Sequence, residues 1–154
     1  AEACDFPPGL ISVVTGDAAL IGAELTAHPD VRMLTFTGST AVGKLLYRQC
    51  AGTVKKLALE LGGNAAFIVF DDADIDQAVA GLMNGKFRNM GQVCIAPNRI
   101  LVQEGAWEAF SRRLCERVAA LSVGNGLDDP DQGPLATGAT FDKVRRHVSE
   151  AVAG

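Results

Sequence analysis

Apolar and polar positions alternate with two different periods along the chain, and the changes between them predict its elements. Leu10 to Thr15 is a short apolar, β-branched run and reads as a strand. Gly16-Asp17 follows, with Asp17 placed to cap a helix from Ala18 to about Ala27, which His28-Pro29-Asp30 ends. Met33 to Thr37 reads as a second strand, and Gly38-Ser39-Thr40 opens a helix reaching about Cys50. Val54 to Leu61 reads as a third strand, closed by Gly62-Gly63. Within it, Leu57, Leu59 and Leu61 share one face, while Lys56, Ala58 and Glu60 share the other.

A second unit of the same kind follows. Ala65 to Phe70 is an apolar strand. Asp71-Asp72-Ala73-Asp74 is an acidic helix entrance, favourable against the positive end of the helix dipole. A helix follows from about Ile75 to Arg88, then a loop from Asn89 to Asn98, punctuated by Gly and Pro. Ile100 to Gln103 is a strand. Ala106 to Leu121 carries a helical period, with Trp107, Phe110, Leu114, Val118 and Leu121 on one face. Val123 to Gly138 is a Gly/Pro/Asp-rich connection, and Phe141 to Val152 is again amphipathic. Strands alternating with helices predict βαβ units and mainly parallel sheets, an α/β fold. The strands on either side of Gly62-Gly63 read as parts of different sheets. The expected division is therefore 1–62 and 63–154.

Composition narrows the function classes. The chain has 154 residues, 48% hydrophobic and 21% charged, enough apolar material for a core. A net charge of −4 repels phosphate backbones and speaks against nucleic-acid binding. No apolar run approaches the roughly 18–20 residues that span a bilayer, so no membrane partner is expected. No basic-then-apolar leader opens this stretch, and a cytoplasmic location is expected. Cys4, Cys50, Cys94 and Cys115 are far apart and form no CxxC pair, and His28 and His147 are isolated, so no metal site is expected. Reduced thiols are the plain reading. Most are expected as small core residues. Cys115 in its amphipathic helix reads as structural, and Cys4 and Cys50 as incidental. The chain opens on Ala1 without Met and closes inside the Phe141–Val152 pattern, so a piece of a longer protein is expected.

Three segments carry candidate chemistry. In Phe36-Thr37-Gly38-Ser39-Thr40-Ala41-Val42-Gly43-Lys44, a strand runs into a Gly/Ser/Thr turn at a helix N-terminus. Free N–H groups there suit a phosphate, and Gly38 permits close approach. Thr40 stands where a dinucleotide fingerprint has its middle glycine, and the spacing does not fit a Walker loop. A plain Ser-capped helix looks the same, so both readings stay open. In Leu57-Ala58-Leu59-Glu60-Leu61-Gly62-Gly63, Glu60 is either on a solvated face or a general base held in a site. In Arg88-Asn89-Met90-Gly91-Gln92-Val93-Cys94-Ile95-Ala96-Pro97-Asn98-Arg99, Cys94 lies in a polar loop outside any apolar stripe. A loop thiol becomes a nucleophile if something holds its thiolate.

Taken together, Phe36–Lys44, Leu59–Gly63 and Gly91–Cys94, in this order and at these spacings, resemble the aldehyde dehydrogenase superfamily. Phe67-Ile68-Val69-Phe70-Asp71-Asp72-Ala73-Asp74 and Gln132-Gly133-Pro134-Leu135 look like the same family. The resemblance implies a Rossmann-like coenzyme-binding piece followed by the first part of a catalytic domain. It implies Cys94 as the nucleophile and Glu60 as the general base that activates a water. It places Gly38 and Ser39 at the phosphates of NAD or NADP and Leu61 beside the nicotinamide. Lys86-Phe87-Arg88-Asn89, Val54-Lys55-Lys56-Leu57 and Leu61-Gly62-Gly63-Asn64 look like succinate-semialdehyde dehydrogenases, where the arginine matching Arg88 binds the substrate's distal carboxylate. A solvent-facing arginine at a helix end is the other reading of Arg88. Ala96 departs from relatives that carry a second Cys two residues after the nucleophile, so a disulfide switch between those positions is excluded. Ala96-Pro97 also alters the substrate mouth. The resemblance further implies a small aldehyde substrate, a homo-oligomeric parent and no turnover by the isolated piece. The competing readings are a dehydrogenase for another aldehyde and a non-catalytic nucleotide-binding or interaction module.

Overall fold

Two parallel strand pairs, each joined through a crossover helix, organise the chain. The computed structural model describes residues 4–154. The chain divides into two compact units, Ala1–Leu61 and Gly62–Gly154.

In the first unit, α1 (Ala18–Ala27) precedes β1 (Met33–Gly38), α2 (Thr40–Cys50) and β2 (Lys56–Leu61). Asp17 caps α1 as its pattern predicts, its Oδ1 accepting the N–H groups of Ala19 and Leu20 at 2.9 Å. β1 and β2 pair in parallel from Met33↔Lys56 to Gly38↔Leu61. A βαβ connection is required here, because parallel neighbours cannot be joined by a tight turn. Lys55 is buried just ahead of β2 and donates from Nζ to the carbonyls of His28 (2.6 Å) and Val31 (2.8 Å). Those carbonyls follow the end of α1, where no further helical N–H groups reach them.

In the second unit, β3 (Ala65–Val69) and β4 (Pro97–Val102) pair in parallel across α3 (Ile75–Lys86). α4 (Glu104–Ala119) and α5 (Gly138–Ala153) follow. The core gathers Val69 from β3, Val79, Leu82 and Met83 from α3, and Ala106 and Phe110 from α4. The i, i+3, i+4 spacing on α3 and the i, i+4 spacing on α4 put each set on one stripe. Burying Phe110 contributes roughly 1.5–3 kcal/mol. Gln103 gives α4 no side-chain cap, but Asp71 does so from a distance, its Oδ1 accepting the Ala106 N–H at 3.0 Å. A Cβ on Gly105 would meet that carboxylate at 2.8 Å, so the glycine keeps the cap's approach open.

Several expected elements shift. Leu10–Thr15 is not a strand: β1 and β2 pair only with each other among the described residues, and Ile11, Val13 and Val14 are exposed. A β-branched run forms a strand only where a sheet edge accepts its backbone groups. β2 starts at Lys56, because Val54 is left-handed (φ 52°, ψ 39°) at the end of a 3-10 turn. α3 stops at Lys86, and the chain turns tightly over Arg88–Gly91. Pro97 and Asn98 belong to β4, with Pro97 at a strand start, where a missing N–H costs no ladder bond. The buried stripe of α4 is Ala106 and Phe110. Phe110, Leu114 and Leu121 of the expected face lie in or against the core, whereas Trp107 and Val118 are exposed and Ala106 takes a place in the core that the expected face lacked. Of the cysteines only Cys50, read as incidental, is buried; Cys4, Cys94 and Cys115 are exposed, which corrects the expectation that most are core residues.

Candidate active site

The carboxyl ends of β1 and β2 gather four of the candidate residues. Gly38 ends β1, opposite Leu61 at the end of β2, and Thr37 pairs with Glu60. Ser39 follows Gly38 and caps α2, its Oγ accepting the Val42 N–H at 3.3 Å. In an open parallel sheet this edge is where ligands bind, because helix N-termini and strand ends converge there. No acidic side chain in the first turn of α2 opposes an anion. Leu61 is half-buried, and a Cβ on Gly43 would come within 2.7 Å of its Cδ2, so Gly43 lets the leucine lie close against α2. A Cβ on Gly38 would collide with the Phe36 ring. The expected alternation of β2 is realised: Lys56, Ala58 and Glu60 are exposed, and the three leucines are half-buried. The Ser39 hydroxyl serves as a helix cap, which is the plainer of the two roles open to it.

Arg88 and Cys94 lie in the second unit, on one irregular stretch between α3 and β4. Asn89 (φ 49°), Met90 (φ 55°) and Gly91 (φ 72°) are consecutive left-handed residues. For Met90 this conformation costs roughly 1–2 kcal/mol, while asparagine enters it more readily. It persists only where surrounding bonds over-determine it. Those bonds are present. Met90 N–H donates to Phe87 (3.2 Å) and Gln92 N–H to Asn89 (3.0 Å). Gly133 N–H donates to Met90 Sδ (3.3 Å), and Ala136 N–H to Gln92 Oε1 (3.0 Å). Beyond them Cys94 sits exposed in a turn closed by Ala96 N–H to the Val93 carbonyl at 3.0 Å. The Cys94 carbonyl accepts the Gly63 N–H at 3.1 Å, and a Cβ on Gly63 would meet that oxygen at 2.9 Å. Asn98 braces the same region, accepting from Lys86 Nζ at 2.8 Å and donating to the Gly63 carbonyl at 3.5 Å. Among the described residues the Cys94 N–H takes no backbone acceptor. Arg88 is exposed and, among the described residues, joins none of the ion pairs, whose cations there are His28, Arg113, Arg145 and Arg146.

Gly63, Gln92 and Asn98 are the residues the sequence reading passed over. The paired glycines before β3 and the glutamine in Gly91-Gln92-Val93-Cys94 were visible, but their partners lie far away in the chain. A cleft of about 900 Å³ in the second unit is lined by Met90, Gly91 and Gln92 and edged by Lys86, Lys143 and His147, but not by Arg88 or Cys94. Its size therefore says nothing about the thiol. Among the described residues, no group of three or more His, Cys, Asp or Glu could hold a metal ion, and no helix is long and apolar enough to cross a membrane.

The aldehyde dehydrogenase family model matches residues 1–154. The chain belongs to the aldehyde dehydrogenase family. It is 54% identical over 153 residues to a 3-sulfolactaldehyde dehydrogenase of Pseudomonas putida, covering 99% of this chain and 32% of that protein. It is 50% identical over 147 residues to an Escherichia coli succinate-semialdehyde dehydrogenase [NADP(+)], covering 95% of this chain and 30% of that one. The crystal structure of a succinate-semialdehyde dehydrogenase from Burkholderia pseudomallei superposes with a TM-score of 0.95 at 52% identity, over 99% of this chain and 32% of that chain. The chain thus spans about a third of the length of the relatives it matches. Its α/β fold with parallel sheets is the family's, as the resemblance implied.

Proposed function

We propose that this chain supplies the nucleophile and part of the coenzyme site of a longer enzyme that oxidises succinate semialdehyde to succinate with NAD or NADP. In this reading residues 1–62 are the last part of the coenzyme-binding domain, and 63–154 are the first part of the catalytic domain. The observation that carries it is the Cys94 turn: an exposed thiol on a strained, multiply braced loop, in a chain whose whole length matches the family. A capped helix with a glycine before it, at the carboxyl end of a parallel pair, fits a dinucleotide phosphate at Gly38 and Ser39, with Leu61 beside the nicotinamide. Bound coenzyme supplies the hydride acceptor.

The Cys94 thiolate attacks the aldehyde carbon and forms a thiohemiacetal, whose oxyanion the unengaged Cys94 N–H is free to hold. Loss of the hydride leaves a thioester on Cys94. Glu60 takes a proton from water, the hydroxide adds to the thioester carbonyl, and the C–S bond breaks to release the acid and restore the thiolate. Arg88 pairs with the distal carboxylate through two parallel hydrogen bonds. Both substrates named for the relatives above, a semialdehyde acid and a sulfonated aldehyde, carry an anion remote from the reacting carbon. That chemistry suits an exposed guanidinium next to the nucleophile's loop. A cytoplasmic, homo-oligomeric parent belongs to the same proposal.

Replacing Arg88 with Leu in the full-length enzyme tests the substrate. A charge-assisted pair worth ~1.5–3 kcal/mol predicts a rise of about 10- to 100-fold in the KM for succinate semialdehyde. The KM for an uncharged aldehyde should stay put. An unchanged KM for succinate semialdehyde rejects the carboxylate role and leaves a dehydrogenase for another aldehyde. The 154-residue chain alone, mixed with aldehyde and NAD(P)+, should form no NAD(P)H; robust turnover would overturn the proposal that the rest of the enzyme is needed.

A further inference from the structure

We infer that Gln92 is a positioning residue for the Cys94 thiol, an inference that rests on the nucleophile reading above. Gln92 precedes Cys94 by two residues and follows the left-handed run Asn89-Met90-Gly91 directly. Its side chain uses both ends of its amide. Oε1 accepts the Ala136 N–H at 3.0 Å, and Nε2 donates to the Asn89 carbonyl at 3.3 Å. Its backbone is engaged as well: its N–H donates to the Asn89 carbonyl at 3.0 Å, and its carbonyl accepts from Asn89 Nδ2 at 3.3 Å. One residue therefore closes the tight turn upon itself and ties it to a segment 44 positions away.

The thiol hangs on a short span between two anchors. On one side is the Gln92 amide, with Met90 Sδ beside it holding Gly133 N–H at 3.3 Å. On the other is the Cys94 carbonyl, held by Gly63 N–H at 3.1 Å. Only Val93 separates the anchored residues. Releasing the first anchor lets Asn89 and Met90 leave the left-handed region that L residues disfavour, and a change of sign in φ there redirects the chain leading to Cys94. The side chain must accept from one N–H and donate to one carbonyl at once, which an uncharged amide does. Glutamate keeps the bond from Ala136 and loses the donor to Asn89; leucine loses both.

The test uses the full-length enzyme with Gln92→Leu, Gln92→Glu and Cys94→Ala. Expected for Gln92→Leu is a fall in kcat of about 10- to 100-fold, the scale of a misplaced reacting group, with the KM for coenzyme unchanged. The pH profile of Cys94 alkylation by iodoacetamide, followed on the Cys94 peptide by mass spectrometry, should change with it. Gln92→Glu should fall between Gln92→Leu and the parent in both readouts. A Gln92→Leu enzyme with parental kcat and alkylation profile, beside an inactive Cys94→Ala, overturns the positioning role and leaves the nucleophile reading standing. A fully active Cys94→Ala overturns both. Loss of activity in Gln92→Leu that tracks an equal loss of the folding transition, with Gln92→Glu no better, also overturns it in favour of a folding role.

Discussion

Glu60 and Cys94 are carried by backbones of opposite kinds. Glu60 sits in β2, a six-residue parallel strand whose side chains alternate by simple period two and whose partner strand is aligned residue for residue. Cys94 sits past three left-handed residues, on a turn held by single bonds from Gly63, Gly133 and Ala136. The strand spreads its constraint over a ladder, so no single side chain decides where the carboxylate points. The turn concentrates constraint in a few contacts, each of which can be removed by one substitution. A nucleophile needs a narrow geometry and an exposed thiol, and a braced turn provides both. In the proposed reaction a general base must also stand within hydrogen-bond reach of its water, and for Glu60 that position rests on the whole ladder.

The largest expected effects test whether the two residues share one reaction. In the full-length enzyme, Cys94→Ala should reduce aldehyde oxidation to background, and no thioester should form. Glu60→Gln should lower steady-state kcat by about 10²–10⁴-fold while leaving the first, NAD(P)H-forming turnover as a burst. A Glu60→Gln enzyme without a burst would place the carboxylate before thioester formation and break the division of labour. Next in size, Gly63→Ala pushes a methyl against the Cys94 carbonyl and should lose about 1–3 kcal/mol of stability in urea unfolding. It should also slow alkylation of Cys94. Its parental behaviour would show that the turn is looser than its bonds suggest.

Smaller effects sharpen the contrast at its edges. Val54 is a β-branched residue in the left-handed region and is 88% exposed, just before β2. Relief of roughly 1–2 kcal/mol of strain against a glycine entropy cost of about 0.4–1 kcal/mol predicts that Val54→Gly stabilises by about 0.5–1 kcal/mol. Activity should not change, since the strand ladder sets Glu60. Smallest is an acid effect in the connection that leads to Gly133 and Ala136. Asp131 is held below its ordinary value of 3.8 by the Ser122 hydroxyl first and the Ser122 N–H second. A depressed carboxylate lends stability that is fully present above its ordinary value and is lost as pH falls through the folded one. Ser122→Ala should raise the Asp131 titration midpoint, measured by NMR. An unmoved midpoint removes the hydroxyl as cause.

Much of the layout was legible in the residues. Helix starts at Asp17, Ser39 and Asp74 were readable because a cap acts within three or four residues of itself. The alternation of β2 and the alternating strand-helix order were likewise local. The Leu10–Thr15 run misled because its composition suits a strand while pairing requires a partner elsewhere. On α4 the period found Phe110, Leu114 and Leu121, but only packing against Val69, Val79 and Leu82 brings in Ala106 and leaves Trp107 outside.

By itself the sequence determined where caps, turns and periods fall, and through three ordered segments it pointed to the family and to Cys94, Glu60, Gly38, Ser39, Leu61 and Arg88 as its candidate residues. The tertiary structure alone decided the register that sets Gly38 against Leu61, the distant cap from Asp71 to α4 and the brace from Gln92 to Ala136. Those last two bonds join residues 35 and 44 positions apart. Caps and periods follow from neighbours on one helix or strand, whereas a donor and acceptor that far apart meet only once the core has brought their elements together.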